Sequence, residues 1–467
     1  MGVQLADGMS TTFDSLLGVK QGCPLSPTLF GIFIDDFQAE LEAGAVGFDL
    51  PSLAGVPTPA LFYADDLALV STTTAGLQAQ LDLLEAYSQR WRLTVNVKKT
   101  KVVVYTTSHR KVDSPLLTYM AAPIEVLDTF RYLGVDLHST QRFAAAGADR
   151  AAAAHRAALA LHNRCRTLRL HDPALVMHLF DALVRPVMLY GVETWGPGAL
   201  CGKDMEHCER EQRQSLRVLL GLRTGTPNAA VLGEVGRFPV AHTAVALLCR
   251  FWNRLVEMPE SRLTKQAFIE SVGMASCGGV IHSACWAAQV ASFLDFMSPI
   301  VDGVPQRIDP DAAEAVLQRR YFEEVNSCDL VKVQEWLQIR GPLELGDYDP
   351  AGYLQAVSSR TNRVRLAQFR TGSHWLRVET GRWVKPRLLR EQRCCERCGS
   401  GEVDDAEHMI WGCSALIDQR IQHRDLFSLD DATLESFLQQ DATDVAVFLR
   451  HCHDHCAMLY GRGFDPD

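Results

Sequence analysis

The stretch LFYADDLALV, Leu61 to Val70, sets two adjacent aspartates between two short apolar runs. Burying one unpaired carboxylate costs several kcal/mol, so a plain core strand does not accommodate them. In an extended strand, neighbouring side chains point to opposite faces. A tight turn re-aims them, and the pattern reads as two strands, LFYA and LALV, with Asp65-Asp66 at a hairpin tip. Paired carboxylates at a tip suit a hard cation, because Mg2+ binds through one or two carboxylates plus substrate phosphates. Two such ions about 4 Å apart stabilise both the attacking and the leaving oxygen of a phosphoryl transfer. The same dipeptide also makes an ordinary solvated turn, since Asp is a good turn former.

The 467 residues are enough for roughly two to four domains. The first residues, MGVQLADGMSTTFDSLLG, carry neither a basic nor an apolar region of the secretory kind, so no signal peptide is expected. No apolar run reaches about 18 residues, so neither a transmembrane helix nor a membrane partner is expected. Without a secretory route the 14 Cys read mostly as thiols, and Cys165, Cys249 and Cys328 as buried small hydrophobes. The net charge of −10 has the wrong sign for a nucleic-acid binder. A local asymmetry matters more. Between Arg360 and Arg393 stand Arg360, Arg363, Arg365, Arg370, Arg377, Arg382, Lys385, Arg387, Arg390 and Arg393, against only Glu379 and Glu391. The Phe369, Trp375 and Trp383 rings in that stretch would suit base stacking beside phosphate contacts, or the stretch is an amphipathic helix with solvated bases.

Along the chain, Ser26 is a plausible N-cap and Pro27 a first helical residue, with Phe30, Ile34, Phe37 and Leu41 on one face of the helix that follows. Leu77, Leu81, Leu84 and Trp91 mark a second helix, and LTVNVKKTKVVVY, from Leu93, reads as a strand. From about Ala144 the pattern turns helical, beginning with an Ala-rich segment whose Arg156, Arg164, Arg166 and Arg169 have only Asp149 against them nearby. These bases read as a solvated helix face or as a nucleic-acid contact. Residues 300–360 are polar and read as a connector.

Four segments stand in order: GVKQGCPLSPTLF (18–30), FYADD (62–66), LTVNVKKTK (93–101) and RYLGVDL (131–137). Together they resemble the reverse transcriptase of non-LTR (LINE-type) retrotransposons, and HDPALVMHLFDALVRPVMLYGVETWGP (171–197) looks like the region downstream of the polymerase in such elements. The resemblance implies that Asp65 and Asp66 hold the Mg2+ ions, that Tyr63 lies against the primer end or incoming nucleotide, and that Gln21 and Gly22 form the loop over nucleotide and template. It places Lys99 near the pyrophosphate, with Asn96 and Thr100 around it, and Leu133 and Gly134 at the turn that grips the primer. A lysine there supplies charge to a leaving phosphate, or a proton if its pKa is lowered. The helices after 144 would be the thumb, tracking the duplex backbone without reading sequence. The family takes a further aspartate from a strand upstream of GVKQGCPLSP. Asp7 and Asp14 precede that motif without the expected aromatic-rich surroundings, so neither is given the role. The expectation is a truncated palm lacking that motif and the fingers, and so no polymerisation by this chain alone.

A second site is legible in CCERCGSGEVDDAEHMIWGC, Cys394 to Cys413. Cys395 and Cys398 form C-x2-C, and His408 and Cys413 form H-x4-C nine residues on. Two such pairs close a tetrahedral Zn2+ site with no open position for chemistry. A redox C-x-x-C pair is the other reading, though no βαβ context supports it. Cys394 competes with Cys395 as ligand. The pattern resembles the zinc knuckle that follows the polymerase in many LINE-type elements. HCHDHC, 451–456, reads as a polar helix end rather than a metal site.

The expected fold is therefore α+β: an incomplete palm of mixed sheet and helices (1–143), a helical thumb and downstream region (144–300), a connector with the Arg-rich segment (301–390), and a zinc knuckle with its tail (391–467). The expected function is part of an RNA-directed DNA polymerase working on an RNA template and a DNA primer or target, with dNTPs if active. The alternative is a non-catalytic nucleic-acid binder using the knuckle and the bases Arg377, Arg382, Lys385 and Arg387 beside those of the Ala-rich helix. The resemblance implies work in the nucleus, though the sequence shows no clear import signal.

Overall fold

The computed structural model describes every residue except 1–3, 6–7, 10, 12–17, 21, 45–46, 54, 107–114, 141–142, 203, 278–284, 429–431 and 461–467. Gln21, Asp7 and Asp14 therefore lie outside the described residues. The chain forms two compact units, one of Met1–Arg142 with Met258–Cys277 and one of Phe143–Glu257 with Gly278–Asp467. Among the described residues no single helix is long and apolar enough to cross a membrane.

The first unit is built on α1 (Ser26–Ala43) and α2 (Thr74–Trp91). Phe37 and Leu41 of α1 meet Leu81, Leu84 and Tyr87 of α2, and all are buried. Two details differ from the sequence reading. Ser26 begins the helix rather than capping it, and its hydroxyl donates to the Lys20 carbonyl at 2.6 Å, closing the 20–26 loop. Trp91 is 43 % exposed, and Tyr87 takes the core position instead, its hydroxyl donating to the Asp36 carboxylate. The helical stripe continues from Leu84 by three residues, whereas Trp91 falls at the frayed last turn. α2 is capped by Thr73, whose hydroxyl accepts from Gly76 N–H at 3.0 Å.

Gly76 lies against the 48–49 turn so closely that a Cβ there would stand 2.2 Å from the Phe48 carbonyl oxygen. The oxygen is backbone and cannot swing away. Gly76→Ala is expected to destabilise the first unit by about 1–3 kcal/mol despite the better helix propensity of Ala. A urea midpoint unchanged or raised in the variant would show that the turn is free to yield.

Among the described residues the strands pair two by two rather than as one continuous mixed sheet. Of these pairs only Lys101–Val102 with Glu125–Val126 is parallel; the rest are short antiparallel ribbons. The strand expected from Leu93 is reduced to Lys101–Val102. Leu93, Val95 and Val97 still alternate inward against the core, but Asn96 bends the chain. Its carbonyl accepts from the amides of both Lys99 and Thr100 at 3.0 Å, so the ladder cannot continue through it.

The second unit is mainly helical. α3 (Ala144–Leu168) opens it and packs on the helix Met205–Leu220. The stretch read as a polar connector carries two long helices, Pro310–Asn326 and Val331–Arg340, and the short one Tyr353–Ala356. Asp309 caps the first, accepting from the amides of Asp311 and Ala312, with Pro310 in the first turn. One core then joins residues from 177 to 456. It includes Leu366, Phe369 and Trp375 beside Cys395, Met409, Cys413, Phe437 and Phe448, so the stretches on either side of residue 390 share a hydrophobic interior.

Candidate functional site: an acidic hairpin and a Cys3His cluster

In the first unit, Ala60–Tyr63 pairs antiparallel with Asp66–Leu69, Tyr63 opposite Asp66. Asp66 thus opens the second strand, and Ala64 and Asp65 make the two-residue turn. Ala64 adopts φ 51°, the left-handed conformation such tight turns require. Phe62 and Leu67 face the core, and the Phe62 ring meets that of Phe37 edge-on at 6.3 Å, so the tip is anchored from below. Tyr63, Asp65 and Asp66 are exposed. The alternation therefore delivers both carboxylates and the Tyr63 ring to solvent on a hairpin fixed by its apolar face.

A second hairpin, Thr129–Tyr132 with Val135–His138, turns at Leu133 and Gly134. Their φ values of 47° and 80° are the pair a two-residue hairpin turn demands. Leucine is rare in that conformation, and such strain persists only where the surroundings hold it. The Tyr132 phenol is pushed up by burial and then by the charge of Asp66, which sets this hairpin beside the acidic one. Gly22 stands at φ 80° with open space where a Cβ would be. Lys99 is exposed, and among the described residues no ion pair joins it to Asp65 or Asp66. Nor does a third acidic group complete a metal-holding cluster with the two aspartates among the described residues.

In the second unit, Cys395, Cys398, His408 and Cys413 bring one ligand atom each to within 4.8 Å of the others. The Cys395 and Cys413 sulfurs are 3.8 Å apart, and Cys398 Sγ is 3.4 Å from His408 Nε2. A tetrahedral Zn2+ with Zn–S of 2.3 Å and Zn–N near 2.05 Å has S···S and S···N edges of about 3.8 and 3.6 Å. The cluster fits such an ion. The chain achieves this through two local devices. The Cys394–Val403 bridge, with Cys395 N–H donating to the Glu402 carbonyl at 2.8 Å, folds the C-x2-C loop back on itself. On an α-helix, residues five apart diverge by roughly 140°. Here His408–Gly412 is a π-turn, closed by Cys413 N–H on the His408 carbonyl at 2.7 Å, which swings Cys413 round to His408. Of the adjacent cysteines, Cys395 joins the cluster, whereas Cys394 Sγ donates to the Glu391 carbonyl at 3.1 Å.

The sequence reading missed Glu402. Its carboxylate meets His408 Nδ1 at 2.6 Å, which commits Nε2 to the cluster in the manner of carboxylate–histidine–metal triads. Its position inside the knuckle loop was the available signal. The hydrogen bond from the Cys413 thiol pushes the Cys395 thiol down, so the thiolate a metal needs is favoured.

The Arg-rich stretch divides. Phe369 and Trp375 are 2 % and 4 % exposed and belong to the core, so neither can stack on a base as expected. Helix Arg360–Arg370 packs on the terminal helix Ala442–Tyr460, and this tertiary contact buries its aromatic face. Arg363, Arg370 and Arg393 are structural: Arg363 and Arg393 donate to backbone carbonyls, and Arg370 pairs with buried Glu234. Arg377 pairs with Glu396. What remains outward is the segment holding Arg382, Trp383, Lys385, Arg387 and Arg390, with the Trp383 ring over Gly225 and 61 % exposed. On α3, Arg156, Arg164 and Arg166 are exposed, away from the stripe of Ala154, Ala158, Leu161 and Cys165, and Arg169, which caps the helix end, is exposed too. HCHDHC is no polar end: Cys452, His453 and Cys456 are buried.

An exposed aspartate pair on one hairpin, beside the left-handed turn of a second, is an arrangement that can hold a hard cation against phosphate. Residues 4–137 match the reverse transcriptase (RNA-dependent DNA polymerase) family, which uses divalent metal and RNA and DNA substrates. The chain is a relative of the RNA-directed DNA polymerases of non-LTR retrotransposons. It is 27 % identical over 220 residues to the Pol polyprotein of the type-1 element R2 of Popillia japonica, a match covering 45 % of this chain and 33 % of that protein. It is 32 % identical over 201 residues to the probable RNA-directed DNA polymerase from transposon BS of Drosophila melanogaster (39 % and 20 %). To the jockey RNA-directed DNA polymerase of Drosophila funebris it is 28 % identical over 145 residues (30 % and 15 %). The matches thus span a third or less of these relatives.

Proposed function

We propose that this chain works as the later palm, thumb and knuckle portion of a retrotransposon RNA-directed DNA polymerase. The observation that carries the reading is the exposed Asp65–Asp66 turn beside the left-handed Leu133–Gly134 turn, both within the family match. Asp65 and Asp66 hold Mg2+ against substrate phosphates, Tyr63 and the Gly22 loop border the nucleotide, and Leu133–Gly134 hold the primer end. Asn96 acts by bending the chain to present Lys99 to the leaving pyrophosphate. The α3 arginines follow the duplex backbone. The Cys3His centre holds Zn2+ as a closed structural ion and supports the outward 382–390 segment. The place of work is the nucleus, where target DNA lies.

The purified chain should bind an RNA-templated primer with a steep salt dependence, because each neutralised phosphate releases counterions. It should extend that primer with Mg2+ and dNTPs poorly or not at all, since the aspartate pair has no third carboxylate among the described residues. Replacing Arg382, Lys385 and Arg387 together by Ala should weaken binding and flatten the salt slope, whereas Asp65→Asn should not. Robust extension lost in Asp65→Asn would overturn the inactivity and keep the polymerase reading. Absence of binding at low salt would overturn the reading itself. Salt-dependent binding that does not distinguish a primer terminus from a plain single strand favours the non-catalytic binder, which the exposed basic segment beside the knuckle supports.

A further inference from the structure

Ten residues past the last ligand of the Cys3His cluster, the chain leaves the short helix Ile417–Gln422 at His423. That ring does not face solvent alone. Its Nε2 lies 2.9 Å from Nδ1 of His451 on the terminal helix, and the two ring centroids are 5.0 Å apart. The Phe448 ring, one turn earlier on that helix, meets the His423 ring edge-on at 5.7 Å and fixes its position. His455 follows His451 by four residues, on the same helical face, and both are half-buried. Cys452, His453 and Cys456 of the same run point into the core and take no part.

Two imidazoles so placed can share one proton as a simple N–H···N bond. They can also share an ion. Nitrogens about 2.1 Å from a metal lie about 3 Å apart at a right angle and about 3.4 Å apart at the tetrahedral angle. The observed separation matches the right-angled arrangement of tetragonal Ni2+ or Cu2+ sites, and imidazole suits those ions. As placed, the three rings do not gather three nitrogens into one cluster, and His455 enters as the candidate third ligand from the next turn of the same helical face.

We propose that His423, His451 and His455 form a second transition-metal site, independent of the Cys3His cluster, taking a divalent ion of the imidazole-preferring class. The ion would staple the segment that leaves the knuckle to the terminal helix. It adds a metal-dependent clamp at the C-terminal side of the second unit.

The test uses the full chain, loaded with one equivalent of Zn2+ so that the thiolate site is filled, and Ni2+ as the probe. Calorimetric titration should show one Ni2+ per chain above the background of scattered surface histidines, with a matching rise in thermal midpoint. His451→Ala and His423→Ala should each lose that binding event. His455→Gln should weaken it about tenfold, as loss of one ligand among three does. Circular dichroism and retained zinc content identify variants that still fold. For any that do not, histidine ring NMR of the unmutated chain reads the same event, because Ni2+ should broaden the His423 and His451 resonances first. Equal Ni2+ binding in the folded variants and the parent would overturn the proposal, as would broadening spread evenly over all histidines. No binding below millimolar Ni2+ would leave a hydrogen-bonded histidine pair only.

Discussion

Stripping metal from the Cys395–Cys398–His408–Cys413 centre is expected to unfold much more than the knuckle. Reading the sequence alone, the loss would fall mainly on the region after about residue 390. The structure puts Cys395 and Cys413 in one interior with Leu366, Phe369, Trp375, Phe437 and Phe448. Arg397 ties the knuckle loop further, pairing with Asp404 and donating to Cys456 Sγ at 3.3 Å. A structural Zn2+ contributes about 10–16 kcal/mol of apparent binding free energy in small zinc domains. A whole domain is stable by only about 5–15 kcal/mol. Removing the ion therefore outweighs what the shared core can retain. With a strong chelator, hydrogen exchange should rise in helix Arg360–Arg370 and in the terminal helix together, and proteolysis should open the chain well before residue 390. The first unit, whose core holds none of the four ligands, should keep its protection. Cys398→Ala should give the same pattern without chelator. Unchanged exchange in Arg360–Arg370 under chelation would show that the knuckle is a separable appendage.

Glu234 is the second position with a large expected effect. Its side chain is fully buried and receives Arg370 Nε at 3.0 Å and Trp336 Nε1 at 2.9 Å, while its carbonyl accepts from Ala351 N–H at 2.9 Å. One residue thus joins the helix Asn228–Glu234 to Val331–Arg340 and to Arg360–Arg370. Glu234→Leu leaves the Arg370 side chain, 10 % exposed, without its counter-charge and strands the Trp336 N–H. The expected cost is about 3–5 kcal/mol. The double variant Glu234→Leu with Arg370→Met should recover much of that loss, because it removes both charges. If the single variant costs under about 0.5 kcal/mol by urea denaturation, the pair is a surface-like contact and the account of this junction is wrong.

How far each site was legible depends on how local its chemistry is. The Cys3His ligands could be read from spacing because a turn and one helical end supply them all, within 19 residues. Even there the π-turn that aligns His408 with Cys413, and the Glu402 carboxylate behind His408, are products of folding. The acidic hairpin was legible because alternation around Asp65-Asp66 is a local property of paired strands. The helices at 310–340 were missed although Asp309-Pro310 is a strong start signal, because their surface is polar enough to resemble a linker.

The Arg-rich stretch shows the opposite case. Charge is visible in sequence, but a base that lies in a core and one that faces water look alike there. Phe369 and Trp375 carry the composition of a stacking platform, yet the packing of two helices far apart in sequence buries both. The same packing turns Arg363, Arg370 and Arg393 into internal braces and leaves the 382–390 segment outward. The sequence by itself determined the class of fold, the aspartate pair and the four soft ligands, since each rests on local spacing and on residue chemistry. Only the tertiary structure decided which charges and rings are free to meet a partner, and that His423 meets His451, because burial and long-range contact are properties of the assembled chain.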